Sequence, residues 1–197
     1  MIVKKENIIN YFKSGIKNIA DNKIGVEHEK FIFEKKNNQR INFQTVTKIF
    51  NFLAKFGWKP IKEENNVIAL SRGEQKITLE PGNQLELSGE KFNSIHLVCD
   101  ESYKFLDELK QACKSLNLKM MSVSYDPISL LKEVPKTPKQ RYKIMMEEML
   151  KNGKLSLEMM HQTCGTQINL DYDPEKDFFE KFKLSSYLVP LSIAMFA

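Results

Sequence analysis

Three strand-like segments separated by short turns constrain the fold of this chain more than any other sequence feature. The segments VIALS and KITLE flank the turn Arg72-Gly73-Glu74, and QLELS follows a break at Pro81-Gly82. Connections this short join neighbouring strands that run in opposite directions, because parallel strands need long crossovers. The sequence therefore predicts an antiparallel meander near the middle of the chain.

Helices are predicted before and after the meander along the sequence, because apolar residues recur in those segments at helical spacing. The predicted helices cover residues 5–20, a segment from the N-cap Asn42 to Gly57, a longer segment that begins near Asn93, and residues 138–151. A last helix is predicted to begin at Asp173-Pro174, since Asp is a favoured N-cap and Pro is tolerated in the first turn.

Further strands are predicted in KIGVEHEKFIF, in KMMSVSY and along the segment Leu155 to Tyr172. Residues 127–138 contain three prolines and are predicted to be a connection. No internal repeat or shift in composition marks a boundary between domains. The chain is therefore interpreted as one α+β domain over residues 1–197, with helices on one side of the sheet.

Composition and charge exclude several classes of protein. The chain of 197 residues is 42% apolar and 28% charged, which is typical of a folded globular protein. Its net charge of +5 includes only three arginines, Arg40, Arg72 and Arg141, and this argues against nucleic-acid recognition. The three cysteines are widely spaced and predict neither a disulfide framework nor a zinc site.

The two ends of the sequence carry separate predictions. The N-terminal segment mixes charged residues into every turn and has no apolar targeting region, which predicts a cytoplasmic protein. The apolar segment Tyr187 to Ala197 is too short to span a bilayer. Two interpretations of this segment stay open: a docked C-terminal helix, or a segment whose partner surface is supplied by residues outside this chain.

Acidic residues are concentrated in the first predicted strand. Alternation along a strand places Glu27 and Glu29 on one face. Two like charges at such positions repel each other, and a cation between them would remove the conflict. The alternative is a solvated strand face whose lysine neighbours neutralise the charge. The spacing does not match HExxH, so a zinc protease is not supported.

A second acidic pair, Glu80 and Glu86, flanks the Pro-Gly turn, and each residue adjoins a strand-forming leucine. A carboxylate in an apolar setting is costly to desolvate without a partner. Hard divalent cations are suitable partners, and Mg²⁺ is usually held by a few carboxylates together with substrate phosphates. The alternative is a surface hairpin with exposed glutamates.

Two further features suit a polar ligand. Gln167, Asn169 and Asp171 would share one face of the C-terminal strand, as the floor of a ligand site or as a solvated sheet surface. Arg141 lies near a helix start, where a guanidinium and backbone N–H groups can both address an anion. The alternative for Arg141 is an exposed position on the helix surface.

Together these segments resemble the glutamate-cysteine ligases of the plant and alphaproteobacterial type. GVEHEKFIFE is similar to the family's IGTEHEKFGFE, ITLEPGNQLELSG to ITLEPGGQFELSG, and TPKQRYKIM to MPKGRYxIM. MMHQTCGTQINLDY is similar to MMLRTCTVQVNLDF, and SIHLVCDE resembles LHQTCAE. The similarity runs in the family's order from about residue 20 to the end. Asn83 and Gln140 stand where the family has glycines.

The resemblance implies an ATP-dependent ligase that joins glutamate to cysteine through γ-glutamyl phosphate, the first step of glutathione biosynthesis. It implies Mg²⁺ as cofactor and glutamate, cysteine and ATP as small-molecule partners, with no nucleic acid and no membrane. It also implies an α+β fold with a curved, largely antiparallel sheet and helices on the outer face, as in glutamine synthetase and the guanidino kinases.

Residue roles follow from the motif matches. The implied catalytic residues are Glu27, Glu80 and Glu86. The implied metal ligands are Glu27, Glu29, Glu80 and Glu86. The implied substrate- or nucleotide-binding residues are Glu34 beside this cluster, Arg141 and Tyr142 in a lip segment, and Gln167 and Asn169 on the strand that lines the centre.

Two expectations about geometry accompany these roles. We expect Glu27, Glu80 and Glu86 to lie close together on the concave face of one sheet, sharing a Mg²⁺ ion. We expect Gln167 and Asn169 to point to that same face, with Cys164 and Ile168 packed under helices.

Length is the main departure from the family pattern. Family members continue well beyond the position that matches Phe196-Ala197, so the chain is expected to be the N-terminal part of the catalytic domain. This leaves two alternatives to a complete ligase. One is a Mg-ATP-binding piece without turnover, and the other is a related carboxylate-amine ligase with a different amine acceptor.

Overall fold

An antiparallel sheet of seven strands organises the part of the chain that the computed structural model describes, residues 4–196. The strands are β1 (Ile24–Glu34), β2 (Lys59–Glu63), β3 (Asn66–Arg72), β4 (Gln75–Leu79), β5 (Leu85–Phe92), β6 (Leu118–Met121) and β7 (Thr166–Leu170). Their order is β2-β3-β4-β5-β1-β6, and β7 pairs with β1. The predicted meander is confirmed as β3, β4 and β5, with antiparallel pairing at both contacts.

Six α-helices connect or flank these strands within the described residues. They are α1 (Lys5–Lys13), α2 (Phe43–Leu53), α3 (Ile95–Ser115), α4 (Gln140–Asn152), α5 (Ser156–Gln162) and α6 (Pro174–Phe196). The predicted N-cap of α2 is confirmed, since the Asn42 side chain accepts a hydrogen bond from the Thr45 N–H at 2.9 Å. The α+β class and the antiparallel sheet follow the prediction.

One face of the sheet forms the hydrophobic core with α2 and α3. Alternate strand residues such as Ile77, Leu85 and Leu87 are buried there against Phe50 and Leu109 of the helices. Because side chains alternate along each strand, the residues between these apolar ones lie on the opposite face. That opposite face, called here the open face, carries Glu27, Glu29, Thr78, Glu86 and Ser88.

Part of the open face is covered by the proline-rich connection and α5. Arg40 is 5% exposed and joins this cover to the sheet, because its guanidinium contacts Asp126 at 3.1 Å and the carbonyl oxygen of Gly82. It also lies 4.2 Å from the ring centroid of Phe31 on β1. These contacts fix the connection above one end of the acidic residues.

The strand predicted from Leu155 to Tyr172 is wrong over its first half. Residues Ser156–Gln162 form α5, and only Thr166–Leu170 form β7. Leu157, Met160 and His161 follow helical i, i+3, i+4 spacing, and Met160 and His161 are buried. The spacing of the apolar residues, rather than their number, therefore determines that this segment is a helix and not a strand.

Two other differences are smaller. The first predicted helix is shorter than residues 5–20, since α1 ends at Lys13. Sequence reasoning missed β2, which contains Pro60 and lies at the edge of the sheet, where a missing N–H is tolerated.

The last helix begins at Pro174, as predicted, and none of its residues is buried. Phe178 is half-buried, and most of the other apolar side chains of the helix are exposed, with Leu191 at 59% and Met195 at 73%. Among the described residues, no helix combines the length and the apolar character needed to cross a membrane.

Candidate functional site

Four glutamates converge on the open face of the sheet. Glu27 and Glu29 share one side of β1, and Glu29 is the register partner of Glu86 on β5. Glu86 is in turn the register partner of Thr78 on β4, and Glu80 follows that strand on the same side by alternation. The structure therefore brings together all four residues that the motifs predict as an acidic cluster.

Two carboxyl groups of this cluster, those of Glu29 and Glu80, have raised pKa values, and burial is the first cause of each. Burial raises the pKa of Glu29 to about 6, and the charges of Glu80, Glu86 and Glu27 add to this effect, while the Gly165 N–H opposes it. Burial followed by the charge of Glu86 also raises the pKa of Glu80. Carboxylates in such an arrangement attract a cation that would relieve their repulsion.

Hydroxyl groups fix the orientation of Glu86, which is 8% exposed. The Thr78 hydroxyl donates to Oε1 of Glu86 at 2.7 Å, and the Ser88 hydroxyl donates to the same oxygen at 2.8 Å. Oε1 is therefore engaged by two donors. Sequence reasoning missed Thr78 and Ser88, although the alternation that groups Glu80 with Glu86 places both on the same face.

Strand β7 contributes two amides to the site. Asn169 Nδ2 donates to Oε1 of Glu27 at 3.0 Å, and Gln167 Nε2 lies 3.3 Å from the same oxygen. Gln167 Nε2 also donates to Oδ1 of Asn169 at 3.0 Å. The prediction that Gln167 and Asn169 point to the face of Glu27 is confirmed.

The complementary expectation for the other side of β7 is wrong. Ile168 is 62% exposed rather than packed under a helix, and Cys164 lies before the strand and is half-buried. The reason is that α2 and α3 cover the central strands, whereas β7 pairs with β1 away from them and contributes no residue to the hydrophobic core.

The turn that carries Glu80 is held from several sides. The Thr137 hydroxyl lies 2.5 Å from the Glu80 carbonyl oxygen and 2.8 Å from Oδ1 of Asn83. Asn83 Nδ2 donates to the carbonyl oxygen of Ile41, and Gln84 Nε2 donates to that of Thr163 at 2.9 Å. The backbone beside Glu80 is therefore a fixed part of the structure.

Two buried side chains of the motif TPKQRY contact the backbone next to this turn. Tyr142 is 2% exposed, and its hydroxyl donates to the Leu79 carbonyl oxygen at 2.5 Å and lies 3.5 Å from Oε1 of Glu80. Lys139 is 8% exposed, and its Nζ donates to the same carbonyl oxygen at 2.8 Å. The structure thus places Tyr142 beneath Glu80 rather than on an accessible lip.

Arg141, by contrast, is exposed as the lip interpretation requires. Its guanidinium carbon lies 5.1 Å from the Tyr142 ring centroid, and its charge acts to lower the pKa of Glu80. An exposed guanidinium next to the acidic cluster is available to an anionic ligand.

Glu34 does not join the cluster. It lies at the far end of β1 and, by alternation, on the side of the sheet opposite to Glu27 and Glu29. Its Oε1 lies 3.4 Å from the Thr45 hydroxyl of α2, a helix that packs on the core side. The expected position of Glu34 beside the cluster is therefore corrected.

The donor set fits a hard divalent cation that is shared with a ligand. Within residues 4–196, no three side chains of His, Cys, Asp or Glu stand close enough together to enclose a metal ion. Contrary to the expectation, Glu27, Glu80 and Glu86 are therefore not placed closely enough to share one Mg²⁺ ion. Mg²⁺ commonly takes only one or two carboxylates and completes its shell with water and phosphate oxygens. Glu29 and Glu86, which are register partners on β1 and β5, provide two carboxylates on this face.

Comparison with known proteins gives consistent matches along the chain. The family model described as Glutamate-cysteine ligase family 2(GCS2) matches residues 23–197. Glutamate–cysteine ligase A, chloroplastic, of Oryza sativa subsp. japonica is 40% identical over 194 residues, which cover 98% of this chain and 39% of the relative. The chloroplastic glutamate–cysteine ligases of Medicago truncatula and Arabidopsis thaliana are 37% and 36% identical over the same length. The chain thus spans 37% to 39% of the length of these relatives.

Proposed function

The chain belongs to glutamate-cysteine ligase family 2, and on this premise we propose that a protein containing it joins the γ-carboxylate of glutamate to the amine of cysteine. The observation that carries this proposal is the convergence of Glu27, Glu29, Glu80 and Glu86 on the open face, within the segment that matches the family. An acidic face of this kind suits the handling of a metal-bound polyphosphate.

The proposed reaction has two steps. A γ-carboxylate oxygen of glutamate attacks the γ-phosphorus of ATP, and the bond to ADP breaks to give γ-glutamyl phosphate. The cysteine nitrogen then attacks the acyl carbon, phosphate leaves, and the nitrogen loses a proton. When bound, Mg²⁺ would neutralise phosphate charge and align the transferring group. The protein side chains position these reactants.

We assign the roles as follows. Glu27, Glu80 and Glu86 are the proposed catalytic residues, and with Glu29 they are the proposed ligands of Mg²⁺, which would in turn contact the phosphates of ATP. Gln167 and Asn169 orient Glu27 and reach the ligand from β7. Arg141 contacts an anionic substrate from outside. Tyr142 supports Glu80 through the hydrogen bond of its hydroxyl to the Leu79 carbonyl oxygen and its contact with Oε1 of Glu80.

The remaining parts of the proposal concern the whole protein. We propose that residues 1–197 form the N-terminal portion of a ligase domain, whose complete sheet resembles that of glutamine synthetase and the guanidino kinases. Glutamate, cysteine and ATP are the proposed partners, with Mg²⁺ as cofactor, and neither nucleic acid nor membrane is involved. The cytoplasmic location stays a prediction.

The proposal is tested by coupled measurement of ADP release from ATP, with glutamate, cysteine and Mg²⁺. We expect Glu86→Gln to lower turnover by about a hundredfold or more, because the site loses a negative charge that two hydroxyls hold in place. Glu74→Gln is the matched control, since Glu74 is an exposed residue of the β3–β4 turn. Equal turnover in Glu86→Gln and the wild-type protein would contradict the assignment.

A second candidate is binding of Mg-ATP without turnover, for which the acidic cluster on the open face would suffice. The same assay separates the two: ATP binding measured by calorimetry without any ADP release would support the binding function. Replacing cysteine with a panel of other amines tests the third possibility, a ligase with a different acceptor.

A further inference from the structure

Lys139 is a buried ammonium group beside the glutamate cluster. Among the residues that the structure describes, it is the most buried lysine, at 8% exposure. It lies directly before α4. Its Nζ contacts the Leu79 carbonyl oxygen at 2.8 Å and the Tyr142 hydroxyl at 3.5 Å, and it lies 5.0 Å from the Tyr142 ring centroid. Each of these contacts is to an uncharged group.

The charge of Lys139 is therefore not neutralised by direct contact. None of the ion pairs formed by residues 4–196 includes it. Burial lowers the pKa of Lys139, and the negative charge of Glu80, with smaller effects from Glu86 and Glu63, opposes this change. The balancing negative charge is that of the acidic cluster, at longer range than a hydrogen bond.

The contact with Leu79 does not by itself require a charged residue. The Tyr142 hydroxyl already donates to the same carbonyl oxygen, so an uncharged side chain at position 139 would leave that oxygen with a donor. Burying an ammonium without a contact ion pair is costly. A purely structural role would be served more cheaply by a neutral residue, and this points to a role for the charge.

We propose that Lys139 is an internal counter-ion of the glutamate cluster and that it limits the affinity of the open face for a divalent cation. The inference rests on the proposed function, in which that cation accompanies the phosphates of ATP. With a fixed positive charge beside Glu80 and Glu86, the protein alone binds the cation weakly. The metal then enters and leaves mainly as its complex with the nucleotide.

The experiment measures Mn²⁺ binding to the full 197-residue chain at low ionic strength, without nucleotide, from the free-Mn²⁺ signal in electron paramagnetic resonance. Mn²⁺ replaces Mg²⁺ because carboxylates suit both ions. The variants are Lys139→Met, which removes charge and donor, and Lys139→Gln, which removes the charge but keeps an N–H donor. Lys143→Met is the control, because Lys143 is an exposed lysine in the first turn of α4, close to Lys139 in the sequence.

We expect both Lys139 variants to bind Mn²⁺ at least about tenfold more tightly than the wild-type chain, because a like charge near the cation has been removed. Lys143→Met should match the wild type. In thermal melts, metal-free Lys139→Gln should unfold at a lower temperature than the wild type, and the difference should shrink when Mn²⁺ is added.

Unchanged or weaker Mn²⁺ binding by folded Lys139→Gln would overturn the proposal while leaving the proposed function intact. Failure of both Lys139 variants to fold, judged by circular dichroism, would overturn it as well, because the residue would then be a structural requirement. If neither the wild-type chain nor either folded Lys139 variant binds Mn²⁺, both the inference and the metal site of the proposed function are overturned.

Discussion

At the scale of single residues, the acidic cluster makes the stability of the protein depend on pH. Glu29 has its pKa raised to about 6 from a usual value of 4.5, with burial as the first cause. A carboxyl with a raised pKa in the folded state opposes folding when it is ionised. Its cost is therefore absent below pH 4.5, develops between pH 4.5 and 6, and is fully present above pH 6.

We expect Glu29→Gln to stabilise the metal-free protein at pH 7.5 by about 1 kcal/mol, allowing for the partial exposure of this residue. At about pH 4 the variant and the wild type should be equally stable, because Glu29 is then protonated in both folded and unfolded states. The amide oxygen can still accept the Gly165 N–H bond, which is 2.8 Å long in the wild type. Urea unfolding at the two pH values measures the difference, and a variant less stable than the wild type at pH 7.5 would refute this account.

At the scale of elements, the turn between β4 and β5 determines where Glu80 lies. Asn83 has a φ of 59°, which lies in the left-handed region. After Gly, Asn is one of the residues that adopt this region most readily. Its side chain also forms two hydrogen bonds: it donates to the carbonyl oxygen of Ile41 and accepts from the hydroxyl of Thr137. The position where the resembling family has Gly is thus filled by a residue that keeps the backbone shape and adds two contacts.

Two substitutions separate these contributions to the turn. We expect Asn83→Ala to lower the free energy of unfolding by about 2 to 3 kcal/mol, because it loses the side-chain hydrogen bonds and strains the backbone. Asn83→Gly should cost about 1 kcal/mol less, since Gly adopts positive φ without strain. Chemical denaturation measures both values. Equal losses in the two variants would show that the backbone conformation is not a constraint here.

At the scale of the whole molecule, the described chain buries one face of its sheet but leaves α6 open. The apolar side chains in the C-terminal half of α6 are exposed, and they include Leu188, Leu191, Met195 and Phe196. Leu191 and Met195 are four residues apart and therefore share one side of the helix. Contiguous apolar surface of this kind drives association in water.

We therefore expect the 197-residue chain to associate at micromolar concentrations in size-exclusion chromatography with light scattering. Leu191→Glu combined with Met195→Glu should shift the chain toward the monomer, because two charges break the apolar surface. Lys176→Glu, at the exposed start of the same helix, is the control and should leave the distribution unchanged. A wild-type chain that stays monomeric would show that this helix finds cover within the chain.

The sequence alone predicted the features that depend on local periodicity. Alternation along β1 is a property of any strand, so it placed Glu27 and Glu29 on one face. That Glu86 shares this face was expected only from the family resemblance, and the pairing of β1 with β5 shows it. The Asn42 cap, the meander and the proline-rich connection follow equally from local backbone preferences. The same alternation, applied to Glu34, would have removed it from the site.

Only the tertiary structure decided which segments fold over these faces. Lys139 and Tyr142 reach Leu79 across 60 and 63 residues of sequence, and nothing in TPKQRY shows whether these side chains point inward or outward. The exposure of Ile168 likewise depends on which strands α2 and α3 cover. The physical reason is that burial is set by contacts between distant segments, whereas strand and helix periods are set by the backbone of each segment itself.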